Sequence, residues 1–80
     1  MVAVSSIAVL RAARILANLS QQEVAQRAGI GRHTLMRLES GDEAVGIGIV
    51  ERVHSVLESA GIEFLPPTQD SGPGIRLRKN

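Results

Sequence analysis

The 80-residue chain has no cysteine, tryptophan or tyrosine, and Phe64 is its only aromatic residue. Lacking cysteine, it can build no disulfide framework, no thiolate nucleophile and no Cys-based zinc site. His54 has no His, Cys or carboxylate at metal-ligand spacing, so a surface or interface role is expected for it, and neither a metal nor a cofactor is expected. No apolar run approaches the roughly 20 residues of a membrane-spanning helix. The apolar opening MVAVSSIAVL is short and carries no basic leader or cleavage signal, which argues against secretion. A soluble cytoplasmic protein of one domain, with no membrane association, is the expectation. Ser5, Ser6, Ser20, Ser40 and Ser55 lack a strand-elbow context, and the glycines of GIGR and GIG precede no Gly-Lys-Ser/Thr. No enzyme is expected.

The net charge of +1 hides a division along the chain. Between Val9 and Gly41, Arg11, Arg14, Arg27, Arg32 and Arg37 face only Glu23 and Glu39, an excess of three positive charges. Elsewhere four basic residues face six acidic ones, a deficit of two. Such an asymmetry suits attraction of phosphate to one face, although it is too small to bind nucleic acid by electrostatics alone.

The basic half contains the most informative stretch, QQEVAQRAGIGRHTLMRLES, from Gln21 to Ser40. Ser20 as N-cap and Glu23 three residues later form a capping box, which predicts that a helix begins here. Val24, Ala25 and Ala28 give it an apolar side. Gly29 then stops it, where a left-handed cap favours a residue without Cβ. A second helix restarts within two or three residues, with Leu35 and Leu38 on its inner side. Ala25 is placed where the two helices cross closest, and Val24, Ile30, Leu35 and Leu38 form the seam. Two short helices joined by so tight a glycine turn predict a helix-turn-helix, whose second helix enters the DNA major groove. Its outward positions are Arg32, His33, Thr34, Met36 and Arg37, a cluster rich in donors. Arginine is the best reader of guanine, through two bonds to O6 and N7, which makes Arg32 and Arg37 the leading candidates. His33 is a candidate for base or phosphate contact.

Before this window, a helix is predicted from about Ser6 to Ala17, with Ile7, Leu10, Ala13 and Ala17 near one stripe. Asn18 should end it in a left-handed conformation. After Gly41, Asp42 and Glu43 lie in a loop. A longer helix follows, from roughly Gly46 to Ala60, with the stripe Ile49, Val50, Val53, Val56 and Leu57; a separate turn at residues 44–48 is the alternative for its start. Ile62-Glu63-Phe64-Leu65 and Ile75-Arg76-Leu77-Arg78 alternate around a glycine-rich loop, which predicts a β-hairpin. A lone hairpin is marginal in water, so it should lie on the last helix or pair with a second subunit. The chain thus divides into a helix-turn-helix domain over 1–61 and a short hairpin tail over 62–80. The tail is a candidate dimerisation element, with Val53, Val56, Leu57, Ile62, Phe64, Ile75 and Leu77 as expected dimer contacts.

The run LRAARILANLSQQEVAQRAGIGRHTLMRLESGD resembles the lambda-repressor-like, Cro/CI-type helix-turn-helix family, also called the xenobiotic-response-element (XRE) family. The resemblance covers Leu10 to Leu57, and AGIEFLP…GPGIRLR is similar to a tail on small bacterial members. It implies an all-α bundle of four to five helices, here with a short C-terminal β-hairpin. The implied activity is transcriptional regulation, as a repressor, by a homodimer on an operator in double-stranded DNA. By position, it also implies that Gln21 holds a phosphate with its side chain and backbone N–H at a helix N-terminus. Arg32, His33 and Arg37 would face base edges, and Thr34 would sit near the backbone or a thymine methyl. Arg14 and Glu39 would form an interhelical salt bridge. Two positions depart from the family pattern. Gly31 replaces a capping Ser or Thr, and Met36 replaces a polar residue, so it would pack on a thymine methyl or a partner. Two alternative functions share this fold: an antitoxin whose C-terminal segment holds a small toxin, and a protein-interaction adaptor that does not bind DNA.

Overall fold

The computed structural model describes residues 7–78. Ser6, expected to open the first helix, lies outside the described residues. Four helices come first, α1 (Ile7–Leu16), α2 (Gln21–Ala28), α3 (Arg32–Glu39) and α4 (Ile47–Ser59), followed by strands β1 (Ile62–Leu65) and β2 (Gly74–Leu77). This is the mainly helical bundle with a C-terminal hairpin that the sequence predicts.

Local chemistry sets where each helix begins and ends. At the start of α2 the Ser20 hydroxyl accepts the Glu23 N–H at 3.0 Å, and the Glu23 carboxylate accepts the Ser20 N–H at 3.0 Å. The capping box is therefore closed in both directions. The helix ends at Gly29, whose φ of 69° is left-handed. Ile30 N–H returns to the Ala25 carbonyl and Gly29 N–H to that of Gln26. These two bonds make a Schellman motif. The same pair of bonds recurs at Asn18 (φ 59°), from Leu19 to Arg14 and from Asn18 to Ile15. It recurs again at Gly41 (φ 93°), from Asp42 to Arg37 and from Gly41 to Leu38. Three successive helices thus stop in the same way, each on one left-handed residue. A turn closed by Val45 N–H on the Asp42 carbonyl at 3.2 Å precedes α4, which then opens on Gly46 as an extended N-cap.

Side chains from every helix and from β1 meet in one core. Leu10 and Ala13 come from α1, Val24, Ala25 and Ala28 from α2, and Leu35 and Leu38 from α3. Val50, Val53 and Leu57 come from α4 and Ile62 from β1. Ala25 is 1% exposed, as a close crossing of α2 requires. The strands pair antiparallel, with Ile62 opposite Leu77 and Phe64 opposite Ile75. Residues directly opposite, and those two apart on one strand, share a face of a sheet. That face packs inward, since Ile62 is in the core and Phe64 and Ile75 lie against it. Phe64 also stacks on His54 of α4, with ring centroids 4.0 Å apart.

This packing corrects part of the expected dimer surface. Val53, Leu57 and Ile62 are 2%, 0% and 1% exposed, so they are consumed by the chain's own core and cannot meet a second subunit. The hairpin lies on the helices of its own chain, β1 beside α4 and β2 beside α1. Val56, Phe64 and Ile75 are half-buried, and Leu77 is exposed.

Two stability predictions follow from the ends of α2. A Cβ at Gly29 would meet nothing within 4 Å, so Gly29→Ala should cost only the left-handed backbone strain, about 1–2 kcal/mol in chemical denaturation, with the fold retained. The Ser20 backbone N–H first, then its hydroxyl, hold the Glu23 carboxyl below its ordinary value of 4.5. A carboxylate depressed in the folded state stabilises above its unfolded value, and that contribution disappears as pH falls through the folded value. Glu23→Gln should therefore melt below the parent at pH 7. The gap should begin to close once the pH falls past 4.5 and vanish in stronger acid.

Candidate nucleic-acid interface

The α2–turn–α3 unit presents one face of α3 to solvent because the other is pinned. Leu35 and Leu38 are 0% and 1% exposed, three residues apart on the inner side. Helical geometry then turns Arg32, His33, Met36 and Arg37 outward, and all four are exposed. Thr34 is half-buried beside the start of the helix. Gly31 is the N-cap of α3 and supplies no side-chain bond. A Cβ there would lie 3.9 Å from the Thr34 hydroxyl, ordinary contact, so a capping serine would fit.

The orientation of α3 is held at its C-terminal end by a charged cluster. Arg14 Nε donates to Glu39 Oε2 at 2.7 Å, and Arg14 Nη2 donates to Oε1 at 3.1 Å. The paired fork is the strong geometry for arginine and carboxylate. Arg14 Nη1 also donates to the Leu19 carbonyl at 3.0 Å, which ties in the turn after α1. The two side chains are only 14% and 6% exposed. Gln21 joins them, donating from Nε2 to Glu39 Oε1 at 3.1 Å. One carboxylate therefore receives donors from α1 and α2 while standing on α3. The structure thus commits the Gln21 side-chain donor to Glu39 rather than leaving it free for a phosphate as expected, because the packing of α2 on α3 brings the two side chains together.

Further along α3, Arg37 Nε donates to Asp42 Oδ2 at 2.8 Å. The Ser40 hydroxyl donates to the Arg37 carbonyl at 2.8 Å and closes the last turn. The bond to Asp42 was missed by sequence reading, since it depends on the chain doubling back at Gly41. So was the link from Gln21 to Glu39, which depends on how the helices pack. On the hairpin, Arg76 donates to Glu63 at 2.6 Å across the strands, on the face opposite the core. That bond holds the Glu63 carboxyl below its usual range. It lies outside the α2–α3 unit. Among the described residues no group of three or more His, Asp or Glu could hold a metal ion, and no helix is long and apolar enough to cross a membrane.

Removing one partner of a buried pair strands the other charge, whereas replacing both by apolar groups does not. Glu39→Ala should therefore lower stability by about 3 kcal/mol or more in urea unfolding, and the double change Arg14→Met with Glu39→Leu should recover most of that loss.

No curated protein matches the sequence. A family model described as a helix-turn-helix domain matches residues 8–63, which spans α1 to α4 and the first residues of β1. With the capped α2, the Gly29 turn and the outward face of α3 in place, the chain belongs to the helix-turn-helix domain family.

Proposed function

We propose that the protein is a sequence-specific, DNA-binding transcriptional regulator that represses by occupying an operator as a homodimer in the cytoplasm. The observation that carries this reading is the outward face of α3. Arg32, His33, Met36 and Arg37 are exposed together on a helix whose opposite side is locked into the core. In a helix-turn-helix such a face lies in the major groove, where arginine forks bond guanine and an apolar side chain can contact the thymine methyl. Thr34 and the start of α2 at Gln21 are assigned to the sugar-phosphate backbone, which fixes register without carrying sequence information. The excess of arginine between Val9 and Gly41 supports attraction to phosphate.

A two-fold dimer would set two copies of α3 about 34 Å apart, one turn of the duplex, on a palindromic site. Of the apolar residues assigned to dimer contact, Leu77 at 53% exposed retains the most accessible surface, and Val56 lies half-buried against the chain's own core. Phe64 and Ile75 lie against the chain's own core and can add only their edges.

The test is a selection of bound duplexes from a random pool, followed by titration of single variants. Arg32→Ala and Arg37→Ala should each cost about 1–3 kcal/mol of specific binding and relax the preference at one base position, with helical circular dichroism unchanged. An adaptor that does not read DNA would be indifferent to the double change. Light scattering with and without the selected duplex reports the dimer, and a monomer in both conditions would refute that part.

A further inference from the structure

We propose that Asp42 is a positioning residue for base recognition, holding the Arg37 guanidinium so that its two terminal amino groups face a guanine. The proposal rests on the reading of α3 as the base-contacting helix and deepens it.

Asp42 meets Arg37 through three linked features. Gly41, at φ 93°, turns the chain back on the end of α3. Asp42 N–H then bonds the Arg37 carbonyl at 3.0 Å, so the two residues are tied through the main chain. The Asp42 side chain is itself anchored, because Oδ1 accepts the Ala44 N–H at 2.9 Å while Oδ2 accepts Arg37 Nε at 2.8 Å. The Ala44 N–H first, and Arg37 after it, hold the Asp42 carboxyl below its usual range, so it remains an ionised acceptor near neutral pH.

The atom engaged on Arg37 decides what this bond can do. Only Nε is used, and among the described residues neither terminal amino group of Arg37 has a hydrogen-bond partner. Guanidinium donors are arranged in a rigid planar fork. Fixing Nε therefore leaves the end of the fork as the edge available to the O6 and N7 acceptors of guanine. Without Asp42 the side chain, 56% exposed, would have its full set of rotamers to lose on binding. A pair this exposed contributes little to folding stability. An added negative charge beside the DNA-facing helix also does nothing for phosphate attraction. Direction is what the bond supplies. Bases are read accurately when the contacting side chain is locked by neighbouring hydrogen bonds.

The experiment uses the full chain and duplexes selected from a random pool, with the base at the position read by Arg37 varied through all four choices. That position is the one whose preference Arg37→Ala abolishes. The parent should favour guanine there by about tenfold or more, the discrimination of one two-bond contact. Asp42→Asn keeps an acceptor for Ala44, whereas Asp42→Ala keeps neither bond. Both should reduce the guanine preference to about threefold or less, with affinity for an unrelated duplex unchanged or raised by the lost negative charge. Retention of the parent's preference by both variants would overturn the proposal. So would an equal loss of affinity on all four bases, which would signal a loop-structural role. If Arg37→Ala abolishes preference at no position, Arg37 reads no base. In that case the error lies in the assignment of Arg37, and Asp42 has nothing to position.

Discussion

The Glu39 carboxylate is the point on which the arrangement of the first three helices depends. It stands near the end of α3 and is 6% exposed, where an unpaired charge would be costly. Arg14 from α1 and Gln21 from the first residue of α2 both donate to it. Hydrophobic packing of Leu35 and Leu38 decides which side of α3 faces inward, but apolar contact is non-directional and leaves freedom to slide or tilt. Bonds of defined geometry from two other helices remove that freedom. The exposed face of α3 is thereby held in a set relation to the beginning of α2.

Much of this was readable from the chain because the instructions are local. Ser20, Glu23 and Gly29 act within four residues of where they stand, and each performs the capping role its type and spacing imply. Asn18 could be assigned a left-handed cap on the same grounds. The Arg14–Glu39 pair came from family resemblance, since its partners are 25 positions apart and no periodicity joins them.

Part of the expected dimer surface, Val53, Leu57 and Ile62, fails for a different reason. A stripe such as Val50, Val53 and Leu57 says that a face is buried, and hydrophobic periodicity cannot say against what. Here α4 covers the core of its own chain, and the inner face of the hairpin joins it through Ile62. The same limit hid the partner of Arg37. An arginine on an exposed helix face looks free until the path of the following loop is known, and Gly41 bends that loop back by a single residue's dihedral angles.

The outward residues of α3 and the buried residues of the core are separate sets. Arg32, His33, Met36 and Arg37 are exposed, and none belongs to the packed cluster. Changes among them therefore escape the steep penalties that attend core substitution. On the proposed reading of α3, a duplicated copy of this chain could drift to a new target site through these four positions while its scaffold stayed under the old constraint. An engineer could use the same freedom, recasting the exposed face of α3 as a library on an unaltered chassis.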